Sequence, residues 1–280
     1  MPTFFYSGIN RPDLLELLAE HQAAGLVNAR CACEPRLVEA YSRFPHVRLA
    51  LDCDARQRYL RRKQNGRERS SAYQLDETLD RYAEIIADVG QHFVWASCYD
   101  QIGDQKFTSW CYDRLVERLA DSSLASRVQW IYQQGDLAEL EERARSLKHI
   151  GIGGMVPLLQ QRGVPSLLRA LAPIAEVLTH VGAQAHIYGL SDAYALSLLS
   201  AEPWFASADS AAWLIAYRAG ELLQASGGQV NATQLGLRLS RREIASNNLR
   251  VIQEWIDPTR PHQFSWWHHL PAHEKKHGRT

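Results

Sequence analysis

The sequence feature that most constrains the fold is a regular alternation of short apolar runs with helical patterns through residue 223. The runs lie at 4–9, 26–31, 47–53, 93–100, 128–134, 149–154, 185–190 and the stretch that ends at Asp209. Such alternation predicts parallel strands with right-handed crossovers, and eight units in a chain of this length predict a (β/α)8 barrel. The alternative is an open, doubly wound sheet.

The pattern changes after residue 226. We expect residues 1–226 to form the barrel and 227–280 to form a C-terminal extension. This extension contains a polar helix at 240–255 and a tail rich in Pro, His and Trp, which packs on the barrel or frays from it.

Composition limits the classes of function. The 280 residues carry a formal net charge of zero, so any affinity for nucleic acid has to come from a local patch. All five cysteines lie in the first 111 residues without a secreted-scaffold pattern, which favours reduced thiols in the cytoplasm. We see no basic, apolar leader and expect no membrane-spanning segment, no metal site and no cofactor.

Polar residues and glycines end several of the predicted strands. In a barrel the carboxyl ends of the strands meet at one mouth, so these residues are expected to share one cavity. They are Asp52, Asp100, Gln134, Gly153, Gly154, Tyr188 and Asp209. For any single carboxylate the alternative is a helix N-cap, worth about 1 kcal/mol, and Asp104 and Asp192 are predicted to be caps or loop residues. The repetition at strand ends favours a site.

The residue types in this set indicate a chemistry. Two carboxylates can act as nucleophile and general acid/base. A third carboxylate with an amide suits the hydrogen-bonding edge of a purine, and Tyr188 offers a face for stacking. Paired glycines let a ligand approach backbone N–H groups closely.

One segment, residues 55–71, is strongly basic and directly follows the candidate Asp52. Neutralising phosphates there would give salt-dependent binding of nucleic acid, whereas a solvated charged loop is an equal alternative. The candidate phosphate contacts are Arg56, Arg58, Arg61, Arg62, Lys63 and Arg67.

The order of these motifs resembles that of the tRNA-guanine transglycosylases over roughly residues 4–223. The motifs are Leu51-Asp52, Tyr99-Asp100, Ile131-Tyr-Gln-Gln-Gly135, Ile152-Gly-Gly-Met155, Ile187-Tyr-Gly-Leu190 and Ala208-Asp209-Ser210. They are most similar to the DpdA-like branch, which places 7-deazaguanines into DNA.

The resemblance implies a role for each residue. Asp209 would attack the sugar C1′ and hold the nucleic acid covalently, and Asp52 would act as general acid/base. Base recognition would fall to Asp100, Gln134, Gly153, Gly154 and Tyr188. The second substrate would be a 7-deazaguanine base, and a partner subunit or homodimer is compatible with the family.

The sequence also departs from the family pattern. Asp52 precedes Cys-Asp-Ala-Arg instead of Ser-Gly-Gly-Phe, which leaves Asp54 as a rival general acid/base. An Arg-containing loop after the nucleophile and a late cysteine cluster for zinc are both missing, which favours DNA over tRNA. Two other functions remain open: an N-glycosidase that hydrolyses the bond, and a non-catalytic barrel that binds nucleic acid.

Overall fold

The computed structural model describes residues 1–54, 72–120 and 122–259. The predicted phosphate contacts at 56–67 and the tail beyond residue 259 therefore lie outside the described residues.

A single parallel sheet forms the centre of the fold. In the described chain its strands are β1 Thr3–Ile9, β2 Ala24–Asn28, β3 Leu49–Asp52, β4 Phe93–Ser97, β5 Val128–Gln129, β6 Ile131–Tyr132, β7 His149–Ile152, β8 Gln184–Ile187 and β9 Phe205–Ser210. They are ordered β5-β4-β3-β2-β1-β9-β8-β7-β6, with β1 paired to both β2 and β9.

The two ends of this sheet belong to one stretch of chain, because only Trp130 separates β5 from β6. Cys98 donates its N–H to the carbonyl of Gln129 on one side, and Gly151 donates to Trp130 on the other. The ring therefore closes through residues 128–132 and has eight positions. The predicted (β/α)8 barrel is confirmed, and the open-sheet alternative is wrong.

Helices follow the strands around the outside. They are α1 Pro12–Glu20, α2 Ala29–Ala32, α3 Pro35–Arg43, α4 Ala72–Val89, α5 Gln105–Arg118, α6 Ser122–Ala125, α7 Leu137–Leu147, α8 Met155–Val181, α9 Ala193–Leu199, α10 Ala212–Ala219 and α11 Arg241–Trp255. Proline begins α1 and α3, where its missing N–H costs nothing. Asp104 and Asp192 cap α5 and α9 through their side chains, as predicted.

Two apolar layers hold the barrel together. The larger layer lies between the strands and the helices and includes the fully buried Trp130 and Trp213. The smaller one fills the interior of the barrel with Phe5, Trp95 and small aliphatic residues, and Tyr188 packs against it. Because side chains fill the interior, a ligand can bind only at the mouth of the barrel.

Helix α8 differs from its prediction. The helix was expected at 165–181, but it begins at Met155 and is broken at Gly163, which has φ 70°. The part after the break matches the prediction and contributes buried leucines to the core. By length and composition alone α8 is long and apolar enough to cross a membrane, a test that the core helix of a soluble protein also passes.

The C-terminal part of the chain also differs from its prediction. The helix expected after Asp209 ends at Ala219 because Gly220 takes a left-handed conformation, and an antiparallel hairpin of β10 Glu221–Leu223 and β11 Gln229–Asn231 follows. Helix α11 then packs on the barrel, where its Leu249 carbonyl accepts a 2.7 Å hydrogen bond from Tyr6 Oη.

Candidate functional site

A cavity of about 280 Å³ opens where the strands of the barrel end. Most of the residues predicted for the site line it: Asp52, Asp100, Gly153, Gly154, Tyr188 and Asp209. Its other lining residues include Ser7, Asn28, Asp54, Gln133, Gln160 and Ser210. Its volume lies at the low end of ligand pockets, so it suits one small ring system.

Asp209 lies near the end of β9 with its side chain only 8% exposed. Its Oδ1 accepts a 2.9 Å hydrogen bond from the backbone N–H of Gly189 and contacts Nε2 of His186 at 3.1 Å. Its Oδ2 accepts a hydrogen bond from the hydroxyl of Ser7. The N-cap of α10 is Ala211, so Asp209 does not cap that helix. The alternative prediction, that this carboxylate is a helix N-cap, is therefore wrong.

His186 lies in the middle of β8 and is completely buried. Its Nδ1 is 2.8 Å from Ser207 Oγ. Its ring meets Tyr188 edge to face, with centroids 4.5 Å apart, and packs between Trp95 and Phe5. The sequence prediction did not include His186 in the site and so missed its contact with Asp209. Strand alternation gives the missing signal, because His186 and Tyr188 point to the same side of β8.

Asp100 is held by a network that crosses from one strand to the next. Gln133 donates from Nε2 to Asp100 Oδ2 at 2.6 Å, and Cys53 Sγ lies 2.9 Å from Oδ1. The Oε1 of Gln133 accepts from the N–H of Gly103 at 3.3 Å. The cap of α5 is Asp104, so Asp100 is not a cap either.

Gln134 was predicted to line the cavity with its amide, but the neighbouring Gln133 lines it instead. Gln134 is exposed, has φ 61°, and donates to the carbonyl of Gly154 at 3.1 Å. Trp130 and Tyr132 lie in the layer between strands and helices. The residue one further along faces the interior, because neighbouring side chains of a strand alternate. Counted from Tyr132, that alternation places the side chain of Gln133 on the inner side.

The two rival carboxylates after β3 have different surroundings. Asp54 has φ 71° and forms a 2.8 Å ion pair with Nε of Arg30, whose side chain is more than half exposed. Asp52 ends β3 beside Asn28 of β2 in the register of the sheet. Both carboxylates line the cavity. The two carboxylates therefore differ in that Asp54 is paired with an exposed arginine side chain.

The paired glycines after β7 form one wall of the cavity. A side chain at Gly153 would collide with the amide of Gln133 and push it aside, so glycine at this position leaves room for the hydrogen bond between Gln133 and Asp100. Gly154 has φ 72° and caps α8, whose first turn supplies Val156, Pro157 and Gln160 to the rim.

Tyr188 forms part of the inner end of the cavity. Its hydroxyl donates to Oε1 of Gln129 at 2.7 Å, and the Nε2 of Gln129 lies 3.0 Å from Nδ1 of His149. Burial, followed by the nearby charges of Asp52 and Asp100, raises the pKa of Tyr188 well above its usual value. Tyr188 therefore stays neutral, and its hydroxyl is held in place by Gln129.

The charge of the cavity limits its ligands. Its described lining contains Asp52, Asp54, Asp100 and Asp209 and no lysine or arginine. Such a lining repels carboxylate and phosphate groups and suits a neutral or cationic ring. No group of three or more potential metal ligands occurs among the described residues.

Comparisons with known proteins support the fold alone. No family model and no curated protein matches the chain. Among solved structures, a malate synthase from Haloferax volcanii in a lead(II) complex is 11% identical, with a TM-score of 0.50 over 94% of this chain and 74% of that one. A 4-hydroxy-2-oxoglutarate/2-dehydro-3-deoxyphosphogluconate aldolase from TTHB1 is 14% identical, with a TM-score of 0.47 over 91% and 94%. Both are TIM-barrel proteins.

Proposed function

We propose that the protein is a base-exchange glycosyltransferase that replaces guanine in a nucleic acid with a 7-deazaguanine. The observation that carries the proposal is the placement of Asp209 and Asp52 in one small cavity beside the Asp100–Gln133 pair. A nucleophile, an acid/base and a purine-reading edge are the parts that such a reaction needs.

The first displacement breaks the bond between the sugar and guanine. Oδ1 of Asp209 is contacted by two groups, Gly189 and His186, whereas Oδ2 is contacted by the hydroxyl of Ser7 alone, so in this proposal Oδ2 attacks C1′. The C1′–N9 bond breaks as the C1′–Oδ2 bond forms, and the electron pair leaves with guanine. Asp52, as the carboxylic acid, supplies the proton that the departing base requires.

The second displacement returns the enzyme to its starting state. N9 of the incoming base attacks C1′ and gives its proton to the Asp52 carboxylate. The C1′–Oδ2 bond breaks, and its electrons return to Asp209. Two displacements at one carbon retain its configuration, and they leave the backbone of the nucleic acid intact.

Asp100 and its neighbours recognise the base in this proposal. A carboxylate accepts hydrogen bonds from the N1–H and exocyclic amine of guanine, which 7-deazaguanine also carries. Gln133 and Cys53 keep the Asp100 carboxylate in place for that contact. Tyr188 closes the inner end of the cavity, and stacking on an aromatic ring contributes about 1–3 kcal/mol per base.

A cavity of this size admits one nucleobase and not a duplex. The target nucleotide therefore leaves the stack, at a cost of a few kcal/mol for a paired base. The departures from the tRNA enzymes seen in the sequence favour DNA as the substrate, with the basic segment 55–71 contributing phosphate contacts.

A shared barrel does not by itself imply a shared reaction, so the reactions named for the two similar structures are not carried over to this chain. The proposal is supported instead by the described lining, whose four carboxylates suit a neutral base.

Incorporation of a labelled base tests the proposal. The protein is incubated with radiolabelled guanine or 7-deazaguanine and with either DNA or tRNA, and label in the nucleic acid is counted. We expect incorporation into DNA and none with the Asp209→Ala variant. An abasic product without added base would instead indicate a hydrolase. Binding without either product would indicate a non-catalytic barrel.

A further inference from the structure

His186 is a buried titratable group that the two displacements do not use directly. It has no contact with solvent, and it lies between Ser207 and Asp209 on the inner face of the barrel. Its register neighbour on β9 is Ser207, so both hydrogen-bond partners come from the adjacent strand. A polar ring buried among Phe5, Trp95 and Tyr188 suggests a role beyond packing.

The hydrogen bonds of the ring determine its tautomer. A carboxylate oxygen only accepts hydrogen bonds, so Nε2 carries the proton and donates to Asp209 Oδ1. In the neutral ring Nδ1 is then the acceptor, and the hydroxyl of Ser207 donates to it. The pair Ser207–His186 therefore presents a fixed N–H donor to Asp209.

Two donors, Nε2–H of His186 and N–H of Gly189, converge on Oδ1, while Ser7 contacts Oδ2. Because Oδ1 has two donors and Oδ2 has one, Oδ1 is the more firmly held oxygen and Oδ2 is the one that attacks in the proposed reaction. Once Oδ2 is bonded to the sugar, Oδ1 becomes the carbonyl oxygen of the ester. When that ester breaks, negative charge returns to the carboxylate and is shared with Oδ1.

We infer that His186 is a positioning residue that stabilises Asp209 as the leaving group of the second displacement. The inference rests on the proposed function and assigns to that site a residue for which the resemblance gives no role. Fixed donors aimed at developing charge act as in an oxyanion hole, where the loss of one donor costs about 10²–10³ in rate. Removing His186 therefore slows the breakdown of the covalent intermediate, and the intermediate accumulates.

Two variants at this position separate donation from packing. His186→Gln places an amide N–H where Nε2 lies, without a titratable group, whereas His186→Leu fills space and donates nothing. The matched control is His92→Gln, because His92 lies in the turn before β4, packs on Tyr41 and does not line the cavity.

The experiment measures the lifetime of the adduct. Protein is preincubated with guanine-containing DNA, an excess of 7-deazaguanine is added, and samples are denatured over time to quantify protein–DNA adduct on a gel. We expect decay at least tenfold slower in His186→Leu, and within about threefold of wild type in His186→Gln and His92→Gln. An unchanged lifetime in His186→Leu, or equal slowing in the glutamine variant, would overturn the role of His186.

A second measurement does not depend on turnover or on the folding of the leucine variant. Histidine ¹⁵N spectra of the wild-type protein, assigned with His186→Gln, report which ring nitrogen carries the proton. We expect the Nε2–H form, and an Nδ1–H form would overturn the inference because Nε2 could not donate to Asp209. A wild-type protein that forms no adduct would refute the proposed function itself, which is a different outcome.

Discussion

Gln133 donates a hydrogen bond from Nε2 to Asp100 Oδ2 over 2.6 Å, which joins the end of β6 to the chain beyond β4. Its own backbone N–H is bound at 2.6 Å by Oε1 of Gln105, so the residue is fixed at both ends. The adjacent Gln134 points outward. Two neighbouring residues of the same type therefore offer a matched pair for testing base recognition.

Gln133→Ala is expected to raise the KM for the incoming base at least tenfold, because the Asp100 carboxylate loses a hydrogen bond worth about 1.5–3 kcal/mol to a charged group. Gln134→Ala is expected to leave this KM within about twofold of wild type. Steady-state incorporation at varied base concentration measures both. Equal effects of the two substitutions would contradict the assignment of Gln133.

A second matched pair distinguishes the carboxylates after β3. Asp52→Asn removes the proposed proton carrier, and we expect kcat to fall by about 10²–10⁴. Asp54→Asn keeps a residue that tolerates its positive φ and removes only the ion pair with Arg30, so we expect kcat to change less than tenfold. Single-turnover rates compare the two. A larger loss in Asp54→Asn would transfer the acid/base role to Asp54.

His149 makes stability depend on pH. Burial, with smaller effects of His186 and Arg48, lowers its pKa from 6.5 to about 4. The unfolded chain takes up this proton below about pH 6.5, whereas the folded protein does so only near pH 4. The contribution of His149 is therefore complete above pH 6.5 and is lost as the pH falls towards 4, by up to about 3 kcal/mol.

Urea denaturation at pH 7.5 and pH 5 measures this effect. We expect the free energy of unfolding to fall less between the two pH values in His149→Gln than in the wild-type protein. Other titrating groups are common to both proteins and cancel in the comparison. An equal fall in both would show that His149 is protonated in the folded state at pH 5.

Much of the fold could be predicted because short apolar runs alternate with helical patterns along the sequence. Strand β3 ends at Asp52 and β9 ends at Ser210, each within one residue of the predicted ends at 53 and 209. The split of one strand at Trp130 has no local signal, since it follows from closing the ring. The hairpin after Gly220 was predicted as helix because Glu221–Leu223 continues an apolar run.

The site could be predicted only as far as residue type and strand position allow. Gln134 was chosen over Gln133 because the parity of the strand was not followed through Trp130 and Tyr132. The contact of His186 with Asp209 depends on the register between β8 and β9, which one sequence does not specify. Ser7 comes from the first strand of the chain and meets Asp209 because β1 pairs with the distant strand β9.

Trapping of the covalent intermediate tests the central claim most directly. Wild-type protein, Asp209→Asn and Ser210→Ala are incubated with guanine-containing DNA, denatured and analysed for protein–DNA adduct by gel electrophoresis and mass spectrometry. We predict an adduct at the peptide that contains residue 209 in the wild type and in Ser210→Ala, and none in Asp209→Asn. An adduct that persists in Asp209→Asn, or base exchange by that variant at the wild-type rate, would contradict the account.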